Sequence, residues 1–304
     1  MPPPEPKNGP LRDWFMLKSA KVNRSNSLSK NNEYCVIIEA GRVESNYWID
    51  LWRYRELFYF LAWRDILVRY KQSVIGVAWA VIRPLLTMLV FTVVFGNLAK
   101  MPSENVPYPV LVFAAMLPWQ FFSNALSECS NSLITNSNLI TKIYFPRLII
   151  PASSVIVCLV DFLVSSTILV LLMYWYQYWP TIKILFLPVF AILAFLAAVG
   201  GGLLLAALNV EYRDFRYIVP FIVQIGLYIS PVGFSSSVIP QAWRLVYAIN
   251  PMVGVIDGFR WAIFRESTTL YLPGLTVSAT FVLFIFGLGI WYFRRSERQF
   301  ADVV

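Results

Sequence analysis

Long apolar stretches separated by short polar connections dominate the chain from residue 77 onward. The segments 184–209 and 270–293 contain no charged residue, and about 20 apolar residues suffice to cross a bilayer core of about 30 Å. The pattern therefore predicts an all-α integral membrane protein. Its six predicted transmembrane helices cover residues 77–98, 108–130, 148–174, 184–209, 217–232 and 272–293.

An amphipathic helix is predicted before the first span. Residues 51–72 contain no Pro or Gly, and at helical spacing their apolar and aromatic side chains form two stripes with charged side chains between them. Such a charged helix does not span a bilayer, but Trp, Tyr and Arg are all accommodated at the membrane–water interface. We expect an interface helix with one face toward lipid and one toward protein. A surface helix of a small cytosolic domain is the alternative.

The connection between the fifth and sixth spans also carries helical signals. Asn250 followed by Pro251 is the pattern of an N-cap residue with Pro at the first helical position. Gly254 and Gly258 are four residues apart and allow close packing of the helix that follows. We expect a re-entrant helical hairpin near the outer face, with a helix pair on the outer surface as the alternative.

Three regions follow from these patterns. Residues 1–50 are polar and irregular, with no apolar core of a signal peptide, and we expect a cytosolic N-terminal extension. Residues 51–72 are the interface helix, and residues 73–304 form the six-span transmembrane domain.

Composition and charge agree with a membrane protein. The chain is 58% hydrophobic and 14% charged, with a net charge of +8. Lys and Arg lie mostly beside the spans on one set of connections, which by the positive-inside rule predicts cytosolic N- and C-termini and argues against nucleic-acid binding. The three cysteines are isolated and histidine is absent, so we expect neither a metal site nor a His-dependent catalytic pair.

Four segments carry a resemblance to a known family. They are residues 63–79 with Arg83-Pro84, residues 138–147, residues 209–215, and Ser230-Pro231 with Asn250-Pro251. In these segments the chain resembles the membrane subunit of type-2 ABC exporters, and within them the permeases for O-antigen, capsule and teichoic-acid polymers. The resemblance implies a multi-pass protein of the bacterial cytoplasmic membrane that acts as a transport subunit and not as an enzyme.

The same resemblance implies protein partners. The sequence has no G-x-x-x-x-G-K-[ST] loop, so ATP and Mg would be bound by a separate ATPase subunit, with no cofactor on this chain. Two copies of the chain would assemble with two ATPase copies, and the interface helix would face them around Arg64, Asp65, Arg69 and Tyr70. Two cytosolic loops would couple ATP hydrolysis to transport through Thr141, Lys142, Tyr144, Phe145, Arg147, Tyr212, Arg213 and Asp214. For any one of these loop residues, a role limited to orienting the spans and contacting lipid headgroups is the alternative.

The implied substrate is a long glycan on a polyprenyl diphosphate, moved through membrane lipid. The diphosphate requires cations near the cytosolic surface, and the candidates are Arg69, Lys71 and Arg83. The glycan requires aromatic faces and hydrogen-bonding groups, and the candidates are Trp119, Phe121, Phe122, Asn124, Tyr228 and Tyr247. Asp161 is the one acid deep within a predicted span. Because burying it in lipid costs about 2.5–3.5 kcal/mol, we expect it to face protein or water, in either a functional or a structural role.

Two other functions remain open at this point. A drug or small-lipid exporter would share the fold, and a membrane glycosyltransferase or acyltransferase is a third possibility. The absence of histidine and of a paired-carboxylate motif argues against the enzyme. Loss of surface glycan on deletion would favour the polysaccharide exporter, and altered drug resistance the drug exporter.

Overall fold

Helices form almost the whole of the described chain. The computed structural model describes residues 47–71, 76–102, 106–143, 145–212, 214–264, 270–297 and 300, and none of these residues is in a β-strand. The all-α prediction is confirmed for this part of the chain. Residues 1–46 of the predicted N-terminal extension lie outside the described residues. The α-helices in chain order are α1 Tyr47–Arg53, α2 Arg55–Lys71, α3 Gly76–Phe91, α4 Tyr108–Thr135, α5 Ser137–Lys142, α6 Ile149–Trp175, α7 Leu187–Glu211, α8 Phe215–Ile229, α9 Gln241–Tyr247, α10 Pro251–Ile263 and α11 Leu272–Ser296.

Five helical segments of the described chain are long and apolar enough to cross a membrane. They are α3 with its continuation to Leu98, α4, α6, α7 with the helical turn that precedes it, and α11. Each coincides with a predicted span. The predicted fifth span is represented by α8, which has 15 residues and is therefore about 22 Å long at 1.5 Å per residue. That length falls short of a hydrocarbon core of about 30 Å.

The predicted interface helix starts four residues earlier than expected and contains one turn, at Tyr54. Backbone hydrogen bonds from Tyr54 to Asp50 at 3.0 Å and from Phe58 to Tyr54 at 3.1 Å carry the helical path through that turn. α2 packs against α6 and α3. Leu61 is buried, whereas Trp52 is exposed, so one face contacts protein and the other presents aromatic rings, as the two stripes predicted.

α4 is the central helix and packs against α3, α6, α7, α8 and α10. The hydroxyls on its second half donate to backbone carbonyls three or four residues earlier on the same helix; they belong to Ser123, Ser127, Ser130, Ser132 and Thr135. Because each hydroxyl is bonded within α4, the helix can bury it among apolar neighbours. The amide of Asn209 on α7 adds a link between helices, since its Nδ2 donates to the Ser130 carbonyl at 3.0 Å and to Asn131 Oδ1 at 3.1 Å.

α7 and α11 approach each other through glycines. A Cβ at Gly289 would lie 2.1 Å from the carbonyl oxygen of Gly200, and a Cβ at Gly200 would lie 2.5 Å from the Cα of Phe286. These neighbours are backbone atoms, which cannot rotate away as a side chain can. Glycine at both positions therefore permits the close approach of the two helices. Gly287, also on α11, has open space around it.

Two consecutive helices, α9 and α10, lie where the hairpin was predicted, and residues 241–263 are called the hairpin segment below. Asn250 Oδ1 accepts from the backbone N–H of Met252 at 3.0 Å, which confirms the predicted N-cap. Ser278 of α11 accepts from the Gly254 N–H at 3.2 Å and donates to the Ala248 carbonyl at 2.7 Å, which fastens the hairpin segment to α11. α10 is buried along most of its length and packs on α4, α7 and α11, so it is not a free surface helix.

The end of the first apolar helix has a geometry that the sequence did not predict. After α3 the chain continues as a π-helix over Thr92–Leu98. This π-helix packs against the connection before the hairpin segment, where a Cβ at Gly233 would lie 2.9 Å from the Phe95 ring. The hydroxyl of Tyr108 donates to the Gly233 carbonyl at 2.5 Å from the other side.

Candidate functional site

A cavity of about 650 Å³ lies between α2, α3, α4, α6 and α8. Its wall combines apolar and aromatic residues with about as many polar and charged ones, and ligand sites pair apolar surface with polar groups that orient the ligand. The cavity brings together six residues that the sequence singled out: Arg69, Arg83, Trp119, Phe121, Asn124 and Asp161. Five helices contribute to this one site, although the residues that line it are far apart in sequence.

Asp161 of α6 organises the charged end of this cavity. Its Oδ2 lies 3.1 Å from Arg69 Nη1, and its Oδ1 accepts a hydrogen bond from the Tyr70 hydroxyl. Arg69 Nη2 also lies 3.5 Å from Glu128 Oε1 on α4. Asp161 therefore faces protein, as expected for an acid within a span. Burial, and then the hydrogen bond to Asp161, raise the pKa of the Tyr70 phenol, which stays a neutral donor.

The interface helix is fastened to the bundle at a second point. Arg64 lies 2.7 Å from Asp65 and donates through Nη2 to Asn136 Oδ1 at 3.1 Å, directly after α4. Arg69 and Tyr70 reach α4 and α6, as described above. Arg64, Arg69 and Tyr70 therefore hold the interface helix against the spans. Asp65, the fourth predicted residue, orients Arg64.

The three predicted cations have different environments. Arg69 is neutralised by two carboxylates. Lys71 is exposed at the end of α2 and does not line the cavity. Arg83 of α3 lines the cavity, is exposed, and makes no ion pair with any described residue. Arg83 is therefore the cation best placed to bind an anionic ligand here.

Aromatic rings form one wall of the cavity. The rings of Trp119 and Phe122 have centroids 5.7 Å apart, and those of Phe121 and Phe162 have centroids 5.4 Å apart. Gly226 of α8 leaves room for the indole, because a Cβ there would lie 2.6 Å from Trp119 Cη2. Phe122 packs against Trp119 and does not line the cavity itself.

Five polar residues of the cavity, including Thr87 and Ser165, were missed from the sequence. Gln120, Ser123 and Gln224 line it beside Asn124. Positions 120, 123 and 124 are three and four residues apart and share one face of α4. A search for polar residues at helical spacing within an apolar span would have found them, and Gln224 is the one amide side chain of α8.

Two residues that were predicted to contact the glycan, Tyr228 and Tyr247, lie apart from this cavity. Tyr247 donates to the Ile229 carbonyl at 2.7 Å and lines a second cavity of about 410 Å³ beside the hairpin segment. Tyr228 is 63% exposed on α8. The structure does not bring either residue to the Asp161 cavity, and their contact with a substrate stays a prediction.

The predicted coupling residues fall into two groups. Four are exposed on the connections that follow α4 and α7, namely Thr141, Lys142, Tyr212 and Asp214. Phe145 is buried, and the backbone and guanidinium of Arg147 are bonded to Glu297 after α11. These two side chains are therefore engaged within the protein and do not extend from it. Tyr144 and Arg213 lie outside the described residues.

The matched family model is described as ABC-2 type transporter and covers residues 56–264. That range is more than half of the 304 residues. The chain belongs to the ABC-2 type transporter family. Nearly all of α2, the Asp161 cavity and the hairpin segment of this transporter lie within the matched range.

The transporter is similar in sequence to several proteins named as polysaccharide permeases or transport proteins. It is 28% identical over 258 residues to the O-antigen export system permease protein RfbA of Myxococcus xanthus, which covers 84% of this chain and 98% of the relative. It is 26% identical over 242 residues to the protein of the same name from Klebsiella pneumoniae, covering 79% and 92%. The polysialic acid transport protein KpsM of Escherichia coli is 22% identical over 229 residues, covering 72% and 87%. The resemblance to the O-antigen and capsule branch is thereby confirmed.

Proposed function

We propose that this chain is the permease subunit of an ATP-driven exporter that carries a lipid-linked polysaccharide across the cytoplasmic membrane. The observation that carries the proposal is the alignment along 98% of an O-antigen export permease. The Asp161 cavity supports it, because an aromatic wall, amides and an available cation suit a ligand that is part sugar and part phosphate.

ATP hydrolysis belongs to a separate ATPase in this proposal. The sequence contains no P-loop to hold ATP phosphates, and the family implies an ATPase partner. Two copies of the chain would assemble with two ATPase copies that bind ATP and Mg. The exposed residues Thr141, Lys142, Tyr212 and Asp214 would form the contact with the ATPase.

Six crossings with cytosolic termini form the proposed topology. α8 is the fifth crossing and spans only part of the membrane, because its 15 residues reach about 22 Å. The hairpin segment would occupy the remaining depth on the outer side. The burial of α10 against α4, α7 and α11 supports this, since helix ends at membrane depth are tolerated where they pack on protein.

Within the Asp161 cavity, Arg83 would bind the diphosphate and the α4 wall would bind sugar. A guanidinium offers paired N–H donors that match phosphate oxygens. Trp119 supplies a flat apolar face, and Gln120, Asn124 and Gln224 supply donors and acceptors for hydroxyl groups. The lipid portion would remain in the bilayer beside α8.

Deletion of the gene tests the proposal. We expect surface polysaccharide to disappear and lipid-linked polymer to accumulate inside the cell, with both effects reversed by the wild-type gene. Unchanged surface glycan with altered drug resistance would instead support the drug exporter. Turnover of a sugar donor by the purified chain without any ATPase would support the membrane enzyme.

A further inference from the structure

Glu297, directly after α11, connects three segments that are far apart in sequence. Its Oε1 accepts a hydrogen bond from the backbone N–H of Arg147 at 2.8 Å and one from the hydroxyl of Tyr47 at 3.3 Å. Arg147 also donates through its guanidinium to the Glu297 carbonyl oxygen. One turn earlier, Arg294 lies over the Tyr47 ring, with its Cζ 4.5 Å from the ring centroid. We call these four residues the Glu297 node.

The surroundings of the Glu297 node are largely closed to solvent. Tyr47 is buried, and so are Phe293 and Phe300, whose rings have centroids 5.3 Å apart. Hydrogen bonds to a carboxylate are stronger than those between neutral groups, and they strengthen further where water is excluded. The three connected segments therefore resist separation.

Each segment has its own place in the proposed mechanism. Arg147 follows α5, the exposed helix assigned to the ATPase contact. Tyr47 begins the interface helix pair α1–α2, and Glu297 ends the last span. We propose that Glu297 is a positioning residue that transmits displacement of the α5 segment to the interface helix and to the last span. The inference rests on the proposed function, because it assumes an ATPase at α5.

Three substitutions separate this role from simple support of the fold. Glu297→Gln keeps an oxygen that can accept from Arg147 and Tyr47, whereas Glu297→Ala removes it. Tyr47→Phe removes one donor and leaves the ring beneath Arg294. Gln is close to Glu in size and shape, so Glu297→Gln tests the acceptor role with the least change in packing.

The test uses the full-length chain copurified with its ATPase and reconstituted in liposomes. The substrate is lipid-linked glycan extracted from the deletion strain, and ATP turnover and glycan export are measured on the same samples. For Glu297→Ala we expect normal assembly and at least about tenfold more ATP hydrolysed per glycan exported, the order expected for losing a hydrogen bond to a charged group. For Tyr47→Phe we expect an increase of about twofold, and Glu297→Gln should keep the wild-type ratio.

Other results would overturn the inference. A parallel fall in ATP turnover and export at constant ratio would show support of the fold only, and Glu297→Gln behaving like Glu297→Ala would exclude the acceptor role. If Glu297→Ala does not assemble, Tyr47→Phe decides, and an unchanged ratio there contradicts the inference. Failure of the proposed function is distinct, because the wild-type complex would then hydrolyse ATP without exporting the glycan.

Discussion

Single side chains decide which charge the cavity offers to a ligand. Asp161 and Glu128 together neutralise Arg69, whereas Arg83 makes no ion pair with any described residue. The sequence placed Arg69 and Arg83 in one group, because the partners of Arg69 come from two other helices. The structure shows that Arg69 holds helices together, whereas Arg83 is available to bind a ligand.

Replacing Arg83 should reduce export without reducing assembly. Arg83→Ala removes the available cation of the cavity, and we expect export to fall about tenfold, as for one lost bond to a charged group. Arg83→Lys should keep part of the activity, because the charge remains without the paired donors. Export by the reconstituted complex is measured against glycan concentration. Poor recovery of the Arg83→Ala complex would assign the residue to folding instead.

Asp161 should contribute to stability through Arg69 and Tyr70. Asp161→Asn removes the charge opposite Arg69, and because that pair is partly exposed we expect a loss of only about 1–2 kcal/mol. Tyr70→Phe removes one hydrogen bond and should cost about 1 kcal/mol. Thermal unfolding in detergent measures both. An Asp161→Asn protein as stable as the wild type would show that Glu128 alone satisfies Arg69.

Stability should also depend on the protonation of Glu297. Burial, partly offset by the Arg147 N–H, raises the pKa of this carboxyl above its ordinary value of 4.5. The folded state therefore binds the proton more tightly than the unfolded state, and the free energy of unfolding falls as pH rises from 4.5 through the raised pKa. Glu297→Gln should remove this part of the dependence when unfolding is followed from about pH 4 to about pH 7. Equal slopes for both proteins would contradict the assignment.

Among the elements, the α7–α11 pair has the strictest packing requirement. Gly289→Ala would place a Cβ 2.1 Å from the Gly200 carbonyl oxygen, so the two spans must separate. We expect a loss of at least about 2 kcal/mol, as for overpacked cores, measured as a lower melting temperature and lower yield. Gly287→Ala on the same helix is the matched control, because its Cβ meets nothing within 4 Å. Similar behaviour of the two variants would show that α7 and α11 are not packed as described.

Most helix positions could be predicted from the sequence, because span length and hydropathy are local properties. The cap within the hairpin segment was predictable for the same reason, since Asn250 and Pro251 are adjacent. The π-helix of Thr92–Leu98 was not predictable, because no residue pattern in this segment distinguishes it from an α-helix and its neighbour Gly233 lies far away in sequence. The fifth span was predicted as residues 217–232, whereas α8 covers Phe215–Ile229, because the apolar pattern continues past Ile229.

At the scale of the whole molecule, the proposed topology places the α4–α6 and α7–α8 connections in the cytosol and the α6–α7 connection outside. Thr141 and Thr181 are both exposed and lie on opposite sides in this arrangement. In a Cys35→Ser background, Thr181→Cys should react with a membrane-impermeant maleimide in intact cells, and Thr141→Cys only after permeabilisation. The remaining cysteines, Cys129 and Cys158, are buried. Labelling of Thr141→Cys in intact cells would reverse the topology.

The candidate site was predictable in its residue types and only partly in its grouping. Aromatic, amide and basic candidates identified five lining residues of the Asp161 cavity, and the one acid deep within a predicted span identified the sixth. The partner of Arg147 could not be foreseen, because Glu297 lies 150 positions away in sequence and no pattern links them. The sequence assigned Arg147 to the contact with the ATPase, whereas the structure bonds it to Glu297 at the end of α11.

The hydroxyl groups of α4 have a consequence for movement. Each is bonded to its own helix, so none depends on what lies opposite. A neighbouring helix, a lipid chain or a passing polymer can therefore be exchanged beside any of these positions without leaving a hydroxyl unsatisfied. Movement of a neighbour past these positions breaks none of the hydroxyl hydrogen bonds, whereas sliding of α7 would still break the bonds from Asn209 to the Ser130 carbonyl and Asn131.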